Sequence, residues 1–159
     1  MKLIKKKLPQ INVQVYGYYV GKFDYIKKYK RVHSIEKEIF TNTSLPPDKV
    51  NELYSRSKIC LNINKQQTVY GGNMRLYEIL ATNSFQITNF NDYIEDEFCG
   101  CVESYKNTEE LLQKIVYYLD HENERKAIAQ RGYDKVMKSE LFYHRAKKIL
   151  DDVVSVQKT

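Results

Sequence analysis

Apolar and polar positions alternate with a period of two from Ile11 to Tyr18, where Val13, Val15 and the tyrosines are separated by Asn12 and Gln14, and this predicts a first strand. Gly17 and Gly21 loosen the chain after it. Lys22 to Thr43, rich in Lys and Tyr with short apolar islands, reads as loop with one or two short elements. Pro46-Pro47 suits a helix start, where missing amide donors cost little, and Val50, Leu53 and Tyr54 give that helix one apolar stripe ending near Ser57. Ile59-Cys60-Leu61-Asn62-Ile63 is almost continuously apolar, which predicts a strand buried on both faces and central in a parallel sheet. After Tyr70-Gly71-Gly72 comes a helix from about Asn73 to Thr82. It is apolar nearly all round through Met74, Leu76, Tyr77, Ile79, Leu80 and Ala81, so it should be heavily buried.

Further along, Ser84 to Thr88 reads as a strand, Asn91 to Phe98 as a short helix and Cys101 to Glu103 as a short strand. Asn107 can cap a helix with Glu110 three residues on, and Leu111, Leu112, Ile115, Val116 and Leu119 form its stripe. Glu122 to Lys138 is a second helix, with Ile128, Ala129, Gly132, Tyr133 and Val136 at helical spacing. A third runs from Phe142 to Val154 with Ala146, Ile149, Leu150 and Val153 inward. Strands alternating with helices predict a Rossmann-like three-layer α/β/α sandwich with a mostly parallel sheet. Residues 1–159 are expected to form one domain, with 107–156 as a helical run inside it. There is no internal repeat and no low-complexity segment.

Charge changes this picture little. The 159 residues carry a formal charge of +6, concentrated at Lys5-Lys6-Lys7 and from Lys27 to Arg31. Such an excess favours acidic partners such as phosphates, although lysine runs also serve as plain solvated faces. No recognised nucleic-acid-binding motif accompanies the charge and the tyrosines, so a nucleic-acid partner is not expected. The start carries charge without an apolar run behind it, which does not fit a secretory signal. No apolar stretch is long enough to cross a bilayer. Cys60, Cys99 and Cys101 are odd in number and are expected as free thiols in a cytoplasmic setting. Cys99-Gly100-Cys101 lacks a second ligand pair at metal spacing, and no Asp-x-Asp motif appears, so no metal and no cofactor are expected. His33, His121 and His144 form no nucleophile–base arrangement recognisable from spacing; a helix-junction capping role is expected for His121.

The chemistry concentrates between Asn64 and Glu78. A buried strand delivers the chain to the sheet edge, where ligands of open α/β sheets bind. Gly71 and Gly72 remove side chains so that another molecule can approach the backbone. The helix beginning at Asn73 then offers unpaired amides and the positive end of its dipole, a geometry that binds phosphate. Arg75, in the first turn, adds a guanidinium fork, and Glu78 shares its face. Two readings stay open. The pair is an intrahelical ion bridge, or Arg75 neutralises phosphate while Glu78 accepts hydrogen bonds from sugar hydroxyls. Asn64, Tyr70 and Met74 flank this set as further candidates for ligand contact.

The run Ser57-Lys58-Ile59-Cys60-Leu61-Asn62-Ile63 followed by Asn73-Met74-Arg75-Leu76-Tyr77-Glu78-Ile79-Leu80-Ala81 resembles the C-terminal domain of GT-B glycosyltransferases of the group 1 type, and most closely the CgeB-like spore-maturation proteins. Glu109 to Leu119 and Tyr143-His144-Arg145-Ala146 also resemble the closing helices of that domain. The likeness covers about residues 45 to 150. It implies a nucleotide-diphosphate sugar as donor, with Gly71, Gly72, Asn73, Arg75 and Glu78 as donor-binding residues and an unknown acceptor. In related transferases a pair of glutamates marks the donor site. Glu78 matches the second, which binds ribose, whereas Tyr70 stands where the first would contact the transferred sugar. Gly71 matches the glycine after it. Thr82-Asn83 replaces the small Cys-Gly pair common after this helix, and Asn can supply the left-handed conformation. The likeness further implies a missing N-terminal GT-B domain bearing the acceptor site and the catalytic base, so the chain reads as a fragment or split half that is inactive alone. A non-catalytic nucleotide- or protein-binding module of the same fold is the alternative, favoured by the absent carboxylate at Tyr70.

Overall fold

A computed structural model describes residues 1–16, 39, 41, 43, 45–64 and 70–156. The expected loop from Lys22 to Thr43, apart from Ile39, Thr41 and Thr43, lies outside the described residues, together with Gly17, Gly21 and His33. The chain divides into two compact units, Met1–Val50 and Asn51–Thr159.

In the first unit, α1 (Lys2–Lys7) ends on Lys5, Lys6 and Lys7, where cations meet the negative end of the helix dipole. Its C-terminus is closed by the Leu8 amide on the Ile4 carbonyl at 2.7 Å, and Ile4 is buried. The strand expected from Ile11 is not regular over its described residues. It pairs only around Val15, whose amide donates to the Ile39 carbonyl at 2.6 Å and whose carbonyl accepts from the Thr41 amide at 3.0 Å. The alternation there reflects half-exposed side chains on an irregular segment rather than one face of a ladder. Helix α2 (Pro47–Arg56) carries the chain into the second unit, and the Pro46 carbonyl receives the Val50 amide at 3.0 Å.

The second unit is α/β and Rossmann-like. β1 (Cys60–Asn62), α3 (Met74–Ala81), β2 (Gln86–Asn89), α4 (Asp92–Phe98) and β3 (Glu103–Tyr105) follow one another. The three strands form a parallel sheet in the order β1-β2-β3, with Leu61 beside Ile87 and Thr88 beside Ser104. Each parallel pair is joined by a helical crossover, as parallel pairing requires. β1 is shorter than its apolar run predicts and lies at the edge of the described sheet, with β2 central. Its burial alternates: Cys60 and Asn62 are inward while Ile63 is 51% exposed. The strand expected at Cys101 starts two residues later, because Cys99 and Val102 instead close a bridge around Gly100.

Helix α3 buries Leu76, Ile79 and Leu80, which with Ile94, Phe98, Val102 and Val136 belong to the core. It is not buried all round: Met74 is 68% exposed, and Arg75 and Glu78 face solvent. Asn83 turns the chain after α3 with φ 53°, the left-handed conformation that Asn tolerates. Phe85 packs on Tyr118 at 4.6 Å between ring centres, Tyr118 lying on α5 (Thr108–Asp120). Asn107 caps α5 through Glu110, as expected. Its Oδ1 accepts the Glu110 amide at 2.9 Å, and the Glu110 carboxylate reaches back to the Lys106 amide at 2.8 Å. Helix α6 (Glu122–Lys135) runs into a π-helical segment (Val136–Glu140) that periodicity did not reveal.

The largest departure from expectation is α7 (Phe142–Val156). The stripe expected to point inward is uncovered: Ile149 is 63%, Leu150 64% and Val153 51% exposed, and α7 buries no residue. Amphipathic spacing requires an apolar face to find cover, but that cover is not present among the described residues. Among the described residues, no helix is long and apolar enough to cross a membrane.

Candidate functional site

Sequence places a polar network under the start of α3. Asn62, at the end of β1, exchanges two hydrogen bonds with Asn73: Asn62 Nδ2 donates to Asn73 Oδ1 at 3.1 Å, and Asn73 Nδ2 donates to Asn62 Oδ1 at 2.9 Å. Asn62 also donates to Gln86 Oε1 at 3.3 Å, and Gln86 Nε2 donates to the Leu76 carbonyl at 3.2 Å. Asn62 and Gln86 are fully buried. Buried amides are held in place only when their partners are satisfied, so this network fixes the first turn of α3 against the sheet. Asn73 is at the same time the N-cap, its Oδ1 accepting the Leu76 amide at 3.0 Å.

The glycine loop is built for close backbone approach. Gly71 has φ 142°, which a side chain rarely adopts. A Cβ on Gly72 would stand 2.4 Å from Leu76 Cδ2 and 3.3 Å from Tyr93. Asn91, the cap of α4, donates to the Gly71 carbonyl at 3.1 Å and ties the loop to the next helix. The amides of Met74 and Arg75 have no acceptor among the described residues, as expected for the first turn of a helix whose cap serves Leu76.

Arg75 and Glu78 lie exposed beside that turn. The ion bridge between them is not formed: among the described residues, neither belongs to an ion pair. Tyr54 on α2 faces both. Burial pushes its hydroxyl above the ordinary tyrosine range, the Glu78 charge adds to this, and the Arg75 charge opposes it. Sequence reasoning read Tyr54 as part of an apolar stripe, and its polar end was not separable from pattern alone.

Asn64 follows β1 and is 4% exposed. Its amide nitrogen donates to Thr88 Oγ1 at 3.3 Å and its backbone amide to Asn89 Oδ1 at 2.6 Å, while its Oδ1 is buried without a partner among the described residues. Tyr70 is 59% exposed, and its ring meets Tyr93 edge-on at 5.2 Å. Tyr93 shares a 2.7 Å hydrogen bond with Tyr77, and burial, followed by that bond, pushes its hydroxyl upward. Arg145 lies 4.3 Å from the centre of the Tyr77 ring and pairs with Glu140 at 3.0 Å. The aromatic group Tyr70, Tyr77 and Tyr93 thus walls one side of the glycine loop.

Other candidates stay apart from this set. His121 accepts the capping role expected of it: its Nδ1 lies 2.7 Å from the Tyr117 carbonyl and its ring stacks on Tyr117 at 3.8 Å. His144 has a buried Nδ1 without a partner among the described residues. The cysteines are free, and burial pushes the Cys60 thiol up to about 12. No group of three or more His, Cys, Asp or Glu arranged for a metal occurs among the described residues.

No curated protein and no solved structure matches the chain. A family described as glycosyl transferase-like matches residues 1–151. That match spans both units, including the glycine loop, the capped helix and the Arg75–Glu78 face, and the chain belongs to the glycosyl transferase-like family.

Proposed function

We propose that the glycine loop and the start of α3 hold the diphosphate of a nucleotide-sugar donor. The observation that carries this reading is the open first turn of α3. Its Met74 and Arg75 amides lack acceptors among the described residues, Gly71 and Gly72 precede it, and Arg75 and Glu78 lie exposed on it without forming an ion pair among the described residues. Backbone amides at a helix start are suited to phosphate oxygens, and Arg75 adds a fork that matches them. Glu78, without a cationic partner among the described residues, accepts the ribose hydroxyls. The buried Asn64 Oδ1, without a partner among the described residues, is suited to accept from an ordered water. Tyr70 stands beside the sugar.

The reaction is transfer of the sugar to an acceptor, helped by stabilising charge on the departing diphosphate. The acceptor side belongs to a second α/β domain, as in a GT-B enzyme, and the chain alone binds the donor without transferring it. The uncovered apolar face of α7 supports such a neighbour, since exposed stripes of this size mark interaction surfaces.

Calorimetric titration with a nucleoside and its diphosphate tests the site. Hydrogen bonds to charged groups contribute roughly 1.5–3 kcal/mol, so Glu78→Gln weakens both ligands about tenfold or more, while Arg75→Ala weakens the diphosphate far more than the nucleoside. Binding unchanged in both variants places the donor elsewhere. Binding intact but no transfer after a partner domain is restored favours a non-catalytic module.

A further inference from the structure

The parallel strands have two ends, and the donor site proposed above uses only one. At the other, just before β1 and β2, lies a cavity of about 230 Å³ lined by Arg56, Lys58, Ser84, Arg125 and Lys126 among others, and no carboxylate lines it. Lys58 leads into β1 and Ser84 into β2, whereas Asn64 and Asn89 sit at the opposite, carboxyl ends. The two places are therefore separated by the length of the strands.

Arg125 is the unusual member. It is 7% exposed, and a buried cation ordinarily has a carboxylate partner. Arg125 has none among the described residues. Its Nη1 donates to the Tyr118 and Leu119 carbonyls, closing the C-terminal end of α5, where a cation is favoured by the dipole. Nη1 is thereby used, whereas Nε and Nη2 have no hydrogen-bond acceptor among the described residues. Capping α5 accounts for one edge of the guanidinium and leaves the other without a protein acceptor among the described residues, in a residue that lines the cavity.

The neighbouring charges do not neutralise it. Glu122 is taken by Lys126 at 2.5 Å, and Arg56 pairs with Glu52 at 3.5 Å on the outer surface. Lys58 belongs to no ion pair among the described residues. Glu122 senses the whole group: its carboxyl is held below the ordinary range first by Lys126 and further by Arg125 and Lys58. The Ser84 hydroxyl and the exposed Asn83 amide border the same opening. Cations and a guanidinium edge without a protein acceptor among the described residues, around a recess that no carboxylate lines, form a receptor for a compact, multiply charged oxyanion.

We infer that this cavity is a second anion site, distinct from the donor site, that takes a small phosphoryl anion such as phosphate or a phosphate monoester. The guanidinium edge of Arg125 gives directional hydrogen bonds, and Lys58 and Lys126 supply charge. Occupation tethers the start of α6 to the segment leading into β1, so the ligand stabilises the sheet edge opposite the donor.

The test is a titration of the whole chain with inorganic phosphate and with methyl phosphate, followed by amide NMR at constant ionic strength with chloride as the control. Saturable shifts at Lys58, Ser84 and Lys126 are expected for both ligands. The double variant Lys58→Gln/Lys126→Gln alters two exposed side chains and spares the α5 cap; it should bind at least tenfold more weakly while melting close to the parent. Arg75→Ala should leave these shifts unchanged. Three results overturn the inference: no saturation beyond the chloride control, equal binding by the double variant, or loss of the shifts in Arg75→Ala. Oligonucleotide binding that involves these residues without saturable phosphate binding also overturns it, in favour of an extended polyanion surface.

Discussion

Gly132 lies in the middle of α6, where an alanine is ordinarily preferred. Replacing a helix-interior glycine by alanine gains roughly 1 kcal/mol from chain entropy. Here the added methyl would stand 2.5 Å from Leu80 Cδ2 and 2.8 Å from the Cys101 carbonyl oxygen. Neither can yield cheaply. Leu80 is fully buried in the core with Leu76 and Phe98, and the carbonyl belongs to the bridge around Gly100. Overpacking of this kind costs roughly 1–3 kcal/mol, and a clash with backbone lies toward the upper end. Gly132→Ala is therefore expected to destabilise the fold by about 1–2 kcal/mol, a drop in Tm of about 3–8 °C for a chain of this size. Urea unfolding followed by circular dichroism reads this directly, and the m-value should stay unchanged. Leu80→Ala makes room on one side, so the double variant should lose less than the two single losses combined. A midpoint for Gly132→Ala equal to or above the parent's would refute the close packing of α3 on α6.

Asn73→Ala removes a cap and also strands the Asn62 amide in the core, so it should cost about 2–4 kcal/mol rather than the roughly 1 kcal/mol of a cap alone; a urea titration in which it costs no more than a surface cap would dissolve the network. Cys99 is exposed whereas the Cys60 thiol is buried and pushed up to about 12, so thiol labelling at pH 8 should modify Cys99 promptly and Cys60 only on unfolding. Because the folded pKa of Cys60 is raised, its contribution to stability is complete below the unfolded value of about 8.5 and is lost as pH rises toward 12. Cys60→Ala should flatten that alkaline loss, and an unchanged profile between pH 9 and 11 would count against the assignment.

Much of the second unit was legible because its signals are local. Asn107 was expected as a cap and is one; Asn73 and Asn91, where helices were expected to begin, proved to be caps as well. Asn83 supplied the left-handed turn expected after α3. What depends on distant neighbours was not legible. Asn62 sits in an apolar run, so the run read as a strand buried on both faces, and only the partners Asn73 and Gln86 explain why a polar residue is the inward one. The stripe of α7 was read correctly as apolar, but periodicity says that a face needs cover, not where the cover comes from. The π-helical segment after Lys135 inserts into a pattern that otherwise continues with helical spacing, so its boundary left no trace. Within the candidate site, Gly71, Gly72, Arg75 and Glu78 were marked by residue type and order. Tyr54 was hidden because it comes from a separate helix.

The most direct test of the central claim is the amide footprint of a saturating nucleoside diphosphate on the whole chain, read by NMR. Donor binding at the start of α3 predicts saturable shifts at Gly71, Gly72, Asn73, Met74 and Arg75 that Arg75→Ala abolishes. A saturable footprint that leaves residues 71–75 unmoved would contradict it.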